Sequence, residues 1–83
     1  MATQKLLKLT ISKVDAPVFD GEVISVTVPG SEGEMTILAD HEALITVLKA
    51  GKLSVKTETG EVMEYAVISG TLEISNNHAT VLI

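Results

Sequence analysis

A side-chain period of two runs through almost the whole chain. Leu7, Leu9 and Ile11 alternate with Lys8, Thr10 and Ser12, the pattern of a strand with one buried face and one wet face. Val23 to Val28 is dense in β-branched residues and predicts a second strand. Met35 to Leu38 reads as a short one, and Leu53, Val55 and Thr57 alternate with Ser54 and Lys56. Turn chemistry separates these runs. Asp15-Ala16-Pro17 breaks the first, Pro29-Gly30-Ser31-Glu32-Gly33 ends the second, and Ala50-Gly51-Lys52 and Glu58-Thr59-Gly60-Glu61 follow. Val62 to Ile74 reads as one long strand region, in which Gly70 marks a bulge or a close backbone approach. Ser75-Asn76-Asn77-His78 is a tight hairpin turn, because Asn tolerates positive φ, and Ala79 to Ile83 forms the last strand. Strands at short regular spacing predict an all-β chain, an antiparallel sandwich or barrel.

One stretch is open to two readings. Asp40 can cap a helix, and Ala43, Leu44, Val47 and Leu48 would then share one helical face. Ile45-Thr46-Val47 is β-branched and lies among strands, which favours extended structure.

Composition narrows the function. At 83 residues the chain makes one domain, 1–83. Its core must be aliphatic, since Phe19 and Tyr65 are the only aromatics. The absence of cysteine excludes disulfides, thiolate metal sites and a cysteine nucleophile. A net charge of -5, with six lysines and no arginine, disfavours binding to a phosphate backbone. No apolar run approaches the roughly 20 residues of a spanning helix, and Met1 to Lys8 lacks the apolar stretch of a signal peptide. The chain reads as soluble and cytoplasmic.

The search for catalytic groups returns nothing assembled. His78 falls in a hairpin turn and reads as a solvated turn residue. His41 stands between Asp40 and Glu42, but adjacent side chains of an extended segment point to opposite faces and do not converge on a metal. Ser69 in Ile68-Ser69-Gly70-Thr71 lacks the glycine two residues earlier that a nucleophile elbow needs. Gly30-Ser31-Glu32-Gly33-Glu34 has no lysine, and its carboxylates repel a phosphate. That acidic loop is either a solvated turn or a docking point for a basic partner. Leu44 is either core or part of an exposed apolar strip.

The run from Gly30 to Gly51, with Ser31-Glu32-Gly33-Glu34, the strand Met35 to Leu38, His41, Leu44-Ile45-Thr46 and Gly51, resembles the signature of ATP synthase ε subunits. Val18-Phe19-Asp20-Gly21 is similar to an early aromatic-x-Gly motif of that family, and Ile68-Ser69-Gly70-Thr71-Leu72-Glu73-Ile74 to its late Gly-Gly-x-x-Glu-Val motif. The likeness covers essentially the whole chain in order and spacing. Thr36, Ala39-Asp40, Ala43 and Ser69 depart from the family's usual Gly and Pro and loosen the turn chemistry around His41.

The resemblance implies a flattened antiparallel β-sandwich of about ten short strands in two sheets. It implies a non-catalytic rotor subunit of the central stalk, with no cofactor and no metal, that docks the γ subunit onto the c-ring and couples proton flow to ATP synthesis. The c-ring loops it implies are polar and basic, so the acidic loop Glu32, Gly33 and Glu34 complements them and is expected to face the ring. By the family pattern His41 and Thr46, with Lys13, face γ, and an apolar strip around Leu44 would suit the same permanent partner. The resemblance places the chain peripherally on the cytoplasmic side of the inner (plasma) membrane. The family's C-terminal helical hairpin is absent from these 83 residues, so ATP binding and inhibition of hydrolysis are expected to be absent too. Two other classes stand against this reading. A stand-alone β-sandwich ligand-binding module, such as a carbohydrate module, would want aromatic platforms. A small enzyme would want an assembled nucleophile, base or metal set.

Overall fold

Each alternating run becomes a strand. The computed structural model describes residues 5–83, and the described residues form β1 (Leu7–Lys13), β2 (Ala16–Gly30), β3 (Gly33–Leu38), β4 (Leu44–Leu48), β5 (Gly51–Thr57), β6 (Val62–Val67), β7 (Gly70–Ser75) and β8 (His78–Leu82). The reading of the chain start as lacking a signal peptide falls partly outside these residues. The stretch after Asp40 is extended, with Leu44 to Leu48 in a strand.

The count is eight strands where about ten were expected, because one long strand serves both layers. β2 runs for 15 residues. Its first half pairs antiparallel with β1, from Lys13 opposite Ala16 to Leu7 opposite Val23. Its second half pairs with β3 and β5. The hydrogen-bonded order is β1-β8-β7-β4-β2-β5-β6, with β3 on β2 and β1 joined back to β2. One layer therefore holds β1, β8, β7 and β4, the other β3, β5 and β6, and β2 crosses between them. Such a closure leaves few open edges and makes a stiff body.

The crossing depends on a change of side-chain parity within β2. The register slips between Val23 and Ser25, so Ile24 is an extra residue. The buried positions accordingly step from Val23 to Val26 and Val28 rather than keeping one even phase. A bulge that bends a strand and re-aims its side chains does this work. A second slip opposite Ile11 and Ser12 leaves Val18 unpaired, and Pro17 sits beside it inside β2. Asp15-Ala16-Pro17 thus does not end the strand pairing: the turn is Val14-Asp15 alone, and the missing proline N–H falls where the ladder is already disturbed.

Two further features differ from expectation. β1 and β8 pair parallel, Lys8 opposite His78 to Ser12 opposite Leu82, so the sandwich is not antiparallel throughout. The long run Val62 to Ile74 breaks at Ile68-Ser69, because β6 pairs with β5 while β7 pairs with β4 and β8. Gly70 follows that break, at the close backbone approach its position suggested. An ideal Cβ there would lie 2.2 Å from the Leu82 carbonyl oxygen.

The core is one aliphatic cluster. Leu7, Leu9, Ile11, Val81, Leu72 and Leu48 come from one layer and Ile37, Leu53, Val55 and Val67 from the other, with Val23, Val26 and Val28 from β2. Among the described residues no polar or charged side chain is buried, so no desolvated charge weakens the packing.

Candidate docking site

The acidic tip follows from a two-residue turn. Gly30 faces Gly33 at the end of the β2–β3 pair, leaving Ser31 and Glu32 as the loop. Gly33 has φ 133°, a conformation that favours glycine. Glu32 and Glu34 are both exposed, and Gly33 is half-buried between them. The Ser31 N–H donates to the Val47 carbonyl at 2.9 Å, and the Lys49 N–H donates to the Pro29 carbonyl at 2.9 Å. The tip is thereby fastened to the Leu48 end of β4.

His41 lies beyond the other end of β4. It is half-buried in the segment leading into Leu44. Its Nδ1 lies 2.9 Å from the Glu42 carbonyl oxygen, an acceptor, so Nδ1 carries the proton and donates. Its backbone N–H reaches the Leu38 carbonyl at 3.3 Å. Asp40, just before it, has φ 63°, and its carboxylate lies 2.6 Å from Lys5 Nζ.

Leu44 and Thr46 occupy the inward phase of β4 with the buried Leu48. Leu44 is half-buried and packs against the core cluster, opposite Ile74, while Thr46 lies opposite Leu72. The outward phase is Ile45 and Val47, 74% and 58% exposed. Sequence reasoning missed these two because both phases of Leu44 to Leu48 carry apolar residues, so alternation alone does not tell inside from outside.

Lys13 is not beside His41. The register runs Leu44–Ile74–Ala79–Leu9 across the layer, and Lys13 is four residues past Leu9. Lys13 therefore lies roughly 20 Å from Leu44, from strand rise and strand spacing. It shares its end of the layer with the acidic tip. Around it is an open hollow of about 380 Å³ lined by Lys13, Val14, Leu82 and Ile83 among others, and the neighbouring Ile68 is 87% exposed. The surface is shallow and apolar, with no buried polar side chain to orient a small ligand; it suits the face of another macromolecule better.

Other chemistry finds no assembled set. Among the described residues no three His, Cys, Asp or Glu stand close enough to hold a metal. His78 is not a free turn residue: it opens β8, and its Nε2 lies 3.0 Å from Thr10 Oγ1, which in turn donates to Asp20 Oδ1 at 3.2 Å. Phe19 and Tyr65 are half-buried against the core, so neither offers the exposed ring a carbohydrate module stacks on. Among the described residues no helix is long and apolar enough to cross a membrane.

Comparison with known proteins agrees with the fold. The model of the ATP synthase delta/epsilon chain beta-sandwich domain matches residues 6–83. The ATP synthase epsilon chain of Sulfurimonas denitrificans is 38% identical over 77 residues, covering 93% of this chain and 59% of that one. That of Helicobacter pylori is 37% identical over 78 residues, covering 93% and 62%. The chain thus spans about three-fifths of the length of these curated relatives. Among solved structures, a chain of the Euglena gracilis mitochondrial ATP synthase (OSCP/F1/c-ring) superposes with a TM-score of 0.88 at 26% identity, covering 93% of this chain and 49% of that one. A chain of the Tetrahymena thermophila mitochondrial ATP synthase central stalk and c-ring gives 0.75 at 19% identity over 98% and 65%, a likeness of fold alone.

Proposed function

Because this chain belongs to the family of the ATP synthase delta/epsilon chain beta-sandwich domain, we propose that it is the non-catalytic sandwich of a central-stalk rotor subunit, docking γ onto the c-ring and coupling proton flow to ATP synthesis. The observation that carries the reading is a family match along residues 6–83, joined to a closed aliphatic body. The complex is membrane-associated, and this subunit sits peripherally on the cytoplasmic side of the inner membrane.

The geometry supports separate surfaces for the two partners. Glu32, Gly33 and Glu34 meet polar, basic loops of the c-ring, where charge steers and orients association. γ lies along the outer face of the β4–β7–β8–β1 layer. His41 marks one end of that contact and Lys13 the other, so the partner is elongated enough to span roughly 20 Å; Thr46, in the inward phase of β4, supports the strand from beneath as Leu44 does. Ile45 and Val47 supply the apolar contact from the same strand that Leu44 braces from beneath.

Charge reversal at the tip tests the assignment. Glu34→Lys is expected to weaken binding to the detergent-solubilised c-ring about tenfold at low salt, less at high salt, and to lower proton-coupled synthesis in reconstituted vesicles. Unchanged c-ring binding and synthesis would remove Glu34 from the interface.

A further inference from the structure

The segment carrying His41 is held by a residue far from it in sequence. Asn77 sits at the tip of the β7–β8 hairpin with φ 59°. Its Oδ1 accepts the Asp40 N–H at 2.7 Å, across 37 residues. Its Nδ2 donates to the Leu6 carbonyl at 2.9 Å, across 71 residues. Its own carbonyl accepts the Lys8 N–H at 3.2 Å. One amide thus joins three segments, and its orientation is fixed, because one end meets a donor and the other an acceptor.

Asp40 needs such a hold. A non-glycine residue at φ 63° occupies a sparsely populated conformation, which persists only where the surroundings over-determine it. The Lys5–Asp40 ion pair is a weak candidate, since its side chains are 67% and 54% exposed and exposed pairs contribute little. The His41 N–H to Leu38 bond is long at 3.3 Å. The short bond from Asn77 is the remaining tether of the turn, and His41 is the next residue along.

We propose that Asn77 is a positioning residue for the His41 docking segment: its side-chain amide fixes Asp40 in the left-handed turn and so sets where His41 is presented. The proposal rests on the reading of His41 as γ-facing. Asn77 itself lies at a hairpin tip and acts through Asp40.

Asn77→Gly tests it, because glycine keeps the positive φ of the hairpin while deleting the amide. The Asp40 amide proton is expected to exchange with solvent about tenfold faster by NMR, with the β8 amides from Thr80 to Leu82 unchanged. Affinity for the γ subunit of the same organism is expected to fall about tenfold, with c-ring affinity unchanged. In an Asp40→Gly background, where the left-handed turn is accessible without a tether, the loss from Asn77→Gly is expected to shrink to about twofold. An unaltered Asp40 exchange rate would overturn the proposal, and so would an equal loss of γ affinity in both backgrounds. His41→Ala separates the two layers of the argument. If it weakens γ binding and Asn77→Gly does not, positioning fails. If His41→Ala leaves γ binding intact, the docking reading fails, and the clasp stands or falls on the Asp40 exchange rate.

Discussion

Gly70→Ala should cost the sandwich about 3 kcal/mol and lower its melting temperature by roughly 12–24 °C. The methyl group would sit 2.2 Å from the Leu82 carbonyl oxygen, far inside contact distance. The obstacle is backbone, so no rotamer change relieves it. The chain must move where β7 meets β8, at the Thr71–Leu82 pair, and at the break that lets β6 and β7 lie in different layers. An 83-residue domain holds only roughly 4–12 kcal/mol in total, so this one methyl removes a large fraction. Gly21→Ala is the control, because its nearest heavy atom, on the Phe19 ring, is 3.5 Å away, an ordinary contact. Thermal and urea melts of the two variants measure the difference. Equal melting temperatures would show that the close approach at Gly70 does not constrain the fold.

The second large effect concerns binding rather than folding. Ile45→Asp with Val47→Asp should weaken association with γ by about 100-fold or more. Burying either wild-type side chain is worth about 1.5–3 kcal/mol, and a carboxylate at the same place must be desolvated without a partner. Both positions point outward, 74% and 58% exposed, so the free domain should lose no more than about 2 kcal/mol, mainly from the poor strand propensity of Asp. Leu44→Ala should behave in the opposite sense. That side chain packs on the core, so its truncation lowers stability by about 1–2 kcal/mol and changes γ affinity little while the domain stays folded. Isothermal titration against γ together with a melt of each variant separates the two behaviours. Loss of binding in the Leu44 variant alone would show that the apolar contact lies on the other phase of β4.

Much of the fold was legible because local pattern and burial coincide. Leu7, Leu9 and Ile11 alternate cleanly and are all fully buried. Asn76 and Asn77 take the positive φ their residue type allows, and Gly70 lies at the close approach its place in the run suggested. What stayed hidden is non-local. The parallel pairing of β1 with β8 joins the two ends of the chain and leaves no mark on either strand's alternation. The extra residue Ile24 is one β-branched residue among several, and only pairing to β5 reveals the slip. At β4, apolar residues in both phases left Leu44 undecided between core and contact.

The proposed docking residues divide along the same line. Ser31-Glu32-Gly33-Glu34 shows its turn in its own composition, so the exposed acidic tip was foreseeable. His41 was recognisable as a residue, but its presentation depends on Asn77, whose role no spacing rule exposes because the contact spans 37 residues. The departures from the family's Gly and Pro around Asp40 mark the same place. A residue that tolerates the left-handed turn, but at more cost than glycine, occupies it, and a distant amide bonds the backbone there.

The central claim is that this sandwich is a rigid coupler seated between γ and the c-ring. It is tested most directly by mixing the tagged 83-residue chain with γ and the detergent-solubilised c-ring of the same organism, then measuring the mass and stoichiometry of what elutes together. The account predicts one assembly holding one copy of the chain per γ and per ring. A chain that elutes alone, while γ and the ring assemble without it, would contradict the account.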